Sequence, residues 1–162
     1  MLLALLAAAG AFDPLAFFAG RTEGRGTLHL ALHHPRVVRV HGDGTPTAQG
    51  LTLTQRVEQD GRITTRRWSL HRVAPGRYAG TLTDAAGPVT AETVGNRLHI
   101  AYRTRGKVRI EQWLTLGADG RTAANHLVAR RFGIVVARLD ETIRKLDRGR
   151  QTTSSPSSSP SQ

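Results

Sequence analysis

From about residue 24 to about residue 146 the chain alternates apolar and polar side chains, and turn residues interrupt the alternation about every 8–12 positions. A period of two sends successive side chains to opposite faces of an extended strand, so each run has one face suited to burial and one suited to water. Leu28, Leu30 and Leu32 share a face ahead of His34-Pro35, and Val38 and Val40 precede a turn expected at His41-Gly42-Asp43-Gly44. Leu51, Leu53 and Val57 lead to Asp60-Gly61, a pair suited to a two-residue hairpin whose central positions both need positive φ. Thr64, Arg66, Trp68 and Leu70 share one face of the returning strand, which ends at Pro75-Gly76. Ala85-Ala86-Gly87-Pro88, Gly95-Asn96, Arg105-Gly106, Asp119-Gly120 and Phe132-Gly133 divide the remaining strands.

Roughly nine or ten strands with short loops have to hide their edges, and closing the sheet on itself does so most simply. The expected fold is therefore all-β, an antiparallel up-and-down barrel over residues 12–146. Asp13-Pro14 reads as an N-cap followed by proline at the first helical position, so a short helix carrying Phe17 and Phe18 is expected to stopper one end. Long amphipathic helices are absent from the pattern, which excludes Rossmann, bundle and TIM-barrel folds.

The flanks differ from this body. Residues 1–11 are apolar and contain Ala9-Gly10-Ala11, a small-x-small pattern that signal peptidases accept, but no Lys or Arg precedes them. A degenerate export signal, a misassigned start and the beginning of a helix all fit. Residues 147–162 are rich in Ser and Pro and bring too little apolar surface to offset chain entropy, so a disordered tail is expected there.

With no Cys in 162 residues, a disulfide framework, a thiolate metal site and a cysteine nucleophile are excluded. The seven His include no HxH or HExxH spacing, so no metal is implied, and nothing in the sequence requires a cofactor. Ser69 is the only serine of the folded region and has no Gly-x-Ser-x-Gly elbow around it, so no catalytic residue is assigned. The formal charge is +11, and the chain has only two Trp, two Tyr and four Phe. Nucleic-acid binders interleave exposed aromatics with basic residues, so this composition argues against nucleic acid and suits an anionic membrane surface better.

Phe12-Asp13, Phe17-Phe18-x-Gly20, Arg66-x-Trp68, Tyr78-x-Gly80-Thr81, Asp84-x-x-Gly87, Gly95-Asn96 and Phe132-Gly133 occur in that order. This string resembles the bacterial family known as domain of unknown function 3833 (DUF3833), over about Phe12 to Leu146. The resemblance implies a lipocalin-like, calycin-type barrel and an envelope or lipid context, and so favours the periplasm or cell envelope over the cytoplasm. The chain departs from the family pattern at Gln112-Trp113-Leu114-Thr115, where an acidic residue usually precedes the Trp, and it has no Cys for a lipid anchor.

Arg66, Trp68, Tyr78, Asp84, Asn96 and Tyr102 fall on or beside neighbouring strands, and with Trp113 they form the candidate ligand-binding set. An Arg fork among aromatic faces suits an amphipathic ligand with an anionic head. The alternative is that Trp68 and Tyr102 are ordinary core and Asp84 pairs with an Arg near a turn. The expected role is binding or handling of a fatty-acyl or other hydrophobic or amphipathic small molecule by a monomer. A lipid-modifying enzyme or its accessory, and an interaction module without a ligand, are the rival classes.

Overall fold

A computed structural model describes residues 10–147. Of the expected apolar start and Ser/Pro-rich tail, all but residues 10, 11 and 147 lie outside the described residues. A short helix, α1 (Pro14–Phe18), precedes ten strands: β1 (Gly20–Leu30), β2 (Arg36–Pro46), β3 (Gly50–Gln59), β4 (Arg62–Ala74), β5 (Arg77–Leu82), β6 (Val89–Val94), β7 (Arg97–Arg103), β8 (Val108–Leu116), β9 (Thr122–Arg131) and β10 (Ile134–Lys145). Each strand pairs antiparallel with its sequence neighbours, and β1 pairs with β10, so the sheet closes into an up-and-down, lipocalin-like barrel with no free edge.

The alternation sets what faces inward. Leu51 and Leu53, Leu98, Ile100 and Tyr102, and Ile110 and Leu114 are buried inside the barrel, while their sequence neighbours point outward. The hairpins form where the turn chemistry placed them, except that β2 and β3 are joined after Pro46. Asp60 and Gly61 have φ of 52° and 73°, the left-handed pair that matches a hairpin to the twist of its strands.

Two local expectations are corrected. Leu32 does not continue the inner face of Leu28 and Leu30; it stands in the β1–β2 turn with φ 62° and its side chain fully exposed. His41-Gly42-Asp43-Gly44 is not a turn, because β2 runs through it, paired with β1 on one side and β3 on the other. These glycines serve close approach. A Cβ on Gly44 would lie 1.8 Å from the carbonyl oxygen of Phe18, where α1 crosses the end of the barrel. Gly44→Ala is therefore expected to displace the helix and cost about 1–3 kcal/mol, as overpacking of a close contact does, measurable as a lower midpoint in urea unfolding.

The helix is anchored from both sides. The Asp13 carboxylate accepts hydrogen bonds from the backbone N–H of Leu15 at 3.0 Å and of Ala16 at 3.4 Å, the N-cap expected of that residue. Lys145 donates to the carbonyls of Ala16 at 2.8 Å, Phe17 at 3.0 Å and Ala19, so a cation from the last strand closes the helix C-terminus. Phe12, Phe17 and Phe18 are buried, with ring centroids 5.3 Å apart for the first pair and 5.0 Å for the second. This end, which also carries the turn after β6, is the plugged end. The turns β1–β2, β3–β4, β5–β6, β7–β8 and β9–β10 form the opposite end.

Candidate functional site

Packing is uneven inside the barrel. The half formed by β5–β9 is filled by Leu82, Val89, Tyr102, Ile110 and Ala129, whereas β1 and β2 bring glycine to the interior at Gly24, Gly26, Gly42 and Gly44. A cavity of ≈ 110 Å³ lies in the interior, floored by Pro14 and Phe18 and walled by Val38, Val40, Leu51, Leu53, Leu98 and Leu114. Its lining extends to Val57, near the Asp60-Gly61 turn of the opposite end.

A polar group crosses this otherwise apolar space. Gln55, Gln112, Asn125 and Glu141 each lie between two apolar residues of the inward phase, Arg66 lies two residues before Trp68, and all five line the cavity. Gln55 accepts the indole N–H of Trp68 at 2.7 Å. Arg66 Nε lies 2.8 Å from Asp84 Oδ2, and Arg66 and Gln112 both act to lower the Tyr102 hydroxyl against its desolvation. Asn125 Nδ2 donates to Gln112 Oε1 at 3.3 Å and to Glu141 Oε2 at 3.0 Å. The amide hydrogens of Asn125 are thus directed at two acceptors, while its carbonyl oxygen Oδ1 is buried with no partner.

Burial and charge set the protonation of this belt. Glu141 is 9% exposed and no basic side chain forms an ion pair with it among the described residues, so desolvation pushes its carboxyl above the usual carboxylate range against the hydrogen bond from Asn125. Its room exists because β1 has glycine opposite: a Cβ on Gly24 would lie 2.0 Å from Glu141 Oε1. Desolvation likewise raises the Tyr102 hydroxyl, opposed by the charge of Arg66 and reinforced by that of Asp84. Asp119, by contrast, is held down to about 2, by the backbone N–H of Arg121 first and then by Thr122; it is a turn residue on the surface.

A pH dependence follows from the Glu141 shift. A carboxyl whose folded-state pKa is raised binds its proton more tightly folded than unfolded, so stability falls as pH rises from the usual carboxylate range towards the raised folded value. Glu141→Gln removes that slope. The variant is expected to match the wild type in Tm at acid pH and to exceed it progressively towards neutral pH; thermal scans of both proteins across the pH range check this.

The seven sequence candidates divide by location. Arg66 and Trp68 line the cavity, and Tyr102 packs edge-on against Trp68 with centroids 5.8 Å apart. Asp84 holds Arg66 from the β5–β6 connection. Tyr78 is buried at the plugged end, where Arg72 lies over its ring at 5.5 Å and also pairs with Asp13. Asn96 sits in the turn after β6 and donates to the Leu116 carbonyl at 3.0 Å, tying that turn to the end of β8. Trp113 does not face the interior: Gln112 and Leu114 point inward, so the pleat sends it to the outer wall, stacked on His99 at 5.1 Å and flanked by His126 at 6.3 Å. No cluster of three metal-ligating side chains occurs among the described residues.

Solved structures with this architecture are distant in sequence. An S-type phycobiliprotein lyase from Guillardia theta superposes with a TM-score of 0.66 at 9% identity, covering 85% of this chain and 94% of that one. The M. tuberculosis protein Rv2717c gives 0.64 at 17%, covering 84% and 99%. A Nostoc punctiforme protein of the DUF3598 family, of unknown function, gives 0.60 at 11%, covering 90% of this chain and 53% of its own length. At these identities the likeness establishes the barrel fold alone. No curated protein matches the sequence. The family model for proteins of unknown function DUF3833 matches residues 6–145, from before the helix plug to the last residue of β10, and the chain belongs to that family.

Proposed function

We propose that the barrel binds one small amphipathic molecule, its apolar part against Val38, Val40, Leu51 and Leu53 and its polar end on the Gln112–Asn125–Glu141 belt. The observation that supports this most is the buried, unpartnered Oδ1 of Asn125 beside a carboxyl held towards its neutral form in an apolar cavity. A buried acceptor left open costs free energy that a ligand hydroxyl or amide recovers on binding.

The belt also bears on the head group. Arg66 is already matched by Asp84 at 2.8 Å, so the cavity presents no free positive charge, and a neutral head that donates a hydrogen bond suits it better than an anion. An acyl-chain alcohol or amide has that chemistry. The cavity of ≈ 110 Å³ is small beside the roughly 300–1,000 Å³ of drug-sized sites, which favours a short chain over a tetrapyrrole.

Titration of delipidated protein with decanol and decanoate, read by displacement of a fluorescent acyl probe, tests the reading. Decanol is expected to bind, and Asn125→Leu to weaken it about tenfold, the cost of one buried hydrogen bond. Arg66→Met is expected to leave decanol binding unchanged. If decanoate binds better than decanol and Arg66→Met abolishes the difference, the head is an anion on Arg66. If neither molecule binds, the proposal fails.

A further inference from the structure

The end of the barrel opposite α1 carries large apolar side chains that stay exposed among the described residues, with only the Arg131 guanidinium lying over the Phe132 ring at 5.2 Å. Leu32, Ile63, Phe132 and Ile134 are 104%, 57%, 80% and 69% exposed. They belong to the β1–β2, β3–β4 and β9–β10 hairpins, which are consecutive around the closed sheet, so they form one arc of the rim. The hydrogen bond from Ala31 N to Val136 O at 3.1 Å ties two of these hairpins together. The remaining exposed large hydrophobics, Val37, Val73 and Val94, are dispersed, with Val73 and Val94 towards the plugged end.

Two of the four are also in an unfavourable backbone conformation. Leu32 and Phe132 have φ of 62° and 50°, a region where bulky side chains are disfavoured and Asn or Gly is preferred. A hairpin needing only to turn would carry Asn-Gly rather than Phe132-Gly133. The fold therefore tolerates both backbone strain and apolar exposure at the same two tips.

Charge identifies what the rim suits. Arg62 and Arg131 lie beside these turns and Arg103, Arg105 and Lys107 at the adjoining β7–β8 turn of the same rim, and none of the five forms an ion pair among the described residues. The two acidic residues of the rim turns, Asp60 and Asp84, are each matched, by Arg36 at 2.7 Å and Arg66 at 2.8 Å. Apolar tips within a basic ring match an anionic bilayer, whose headgroups attract the cations while the tips enter the acyl boundary. Among the described residues no helix is long and apolar enough to cross a membrane.

We propose that the protein docks peripherally on an anionic lipid bilayer through this rim, with Leu32, Ile63 and Phe132 inserted and the basic ring on the headgroups. The cavity lining reaches Val57 and Val38, and Val38 pairs with Gln59 next to the Asp60-Gly61 turn, so the ligand space extends from the plug towards the docked end. The inference thus deepens the ligand reading by naming the bilayer as the ligand's source.

Flotation with vesicles of phosphatidylcholine alone, or mixed with phosphatidylglycerol, tests it with the full chain. The wild type is expected to float with the mixed vesicles at least about tenfold better than with the neutral ones at low salt. The double variant Leu32→Asn, Phe132→Asn is expected to lose about tenfold or more of that binding. Asn suits positive φ, so the variant's Tm should equal or exceed that of the wild type, separating docking from folding. Arg105→Glu with Lys107→Glu should abolish the preference for phosphatidylglycerol. Equal flotation with both vesicle types, or unchanged flotation of the Asn variant, overturns docking. So does a wild-type dimer in sedimentation velocity that the Asn variant dissolves, since the occupant of the rim is then a second copy. Lost flotation with intact decanol binding in vesicle-free solution leaves the ligand reading standing, whereas intact flotation without decanol binding removes only that reading.

Discussion

Phe12→Ala is expected to destabilise the protein by about 3–5 kcal/mol, the range for truncating a fully buried aromatic side chain. Phe12 lies outside every helix and strand, yet it is 2% exposed, and its backbone N–H donates to the Gly95 carbonyl at 2.9 Å. Its ring packs on Phe17, which packs edge-on to Phe18, the residue that floors the cavity. Removing it takes the outermost layer from the plug and leaves α1, only five residues long, held by its caps and by Lys145. Chemical denaturation measures the loss. A change within a few tenths of a kcal/mol, as for a typical surface substitution, would show that the plug is not part of the cooperative core.

Leu114→Ala is the second large effect and acts on ligand space as well as stability. Leu114 is 1% exposed, pairs in register with the equally buried Leu98, and lines the cavity. Truncation is expected to cost about 2–5 kcal/mol in the empty protein, because a closed sheet collapses poorly onto a missing side chain. The same change enlarges the cavity. Dodecanol should therefore gain on decanol in the variant relative to the wild type, and a thermal-shift series with the two alcohols reads stability and chain-length preference together. If the chain-length preference is unchanged, Leu114 does not bound the ligand.

The barrel was largely legible because its signals are local. Asp60-Gly61 and Phe132-Gly133 sit where positive φ is needed, and the two-residue period assigns inner and outer faces without tertiary information. Glycine misled where its role was set from a distance: Gly42 and Gly44 resemble turn residues, but β2 needs them small because Thr22 and the end of α1 lie against them. Leu32 fits an inner face by spacing alone, yet β1 ends at Leu30 and leaves it in the turn.

The site was less legible. Residue type alone points to Arg66 and Trp68, which line the cavity, but it points equally to Trp113, which the pleat sends outward. The inner polar residues carried a signal of a different kind. Gln55 lies between Leu53 and Val57, Gln112 between Ile110 and Leu114, Asn125 between Ala123 and Leu127, and Glu141 between Leu139 and Ile143, each at the apolar phase of its strand. A polar residue in that phase is unfavourable unless it is partnered, so the interruptions mark the belt. That Gln112, Asn125 and Glu141 converge on one network depends on register across β8, β9 and β10, which no single strand reveals.

The two tryptophans offer the most direct test of ligand binding inside the barrel, since Trp68 lines the cavity and Trp113 lies on the outer wall. In Trp113→Phe the only indole is the inner one, and in Trp68→Phe it is the outer one. Saturable quenching by bromodecanol, whose heavy atom acts only at short range, is expected in Trp113→Phe and not in Trp68→Phe. Equal quenching of both proteins, or quenching of the outer indole alone, would place the molecule on the surface and contradict an interior site.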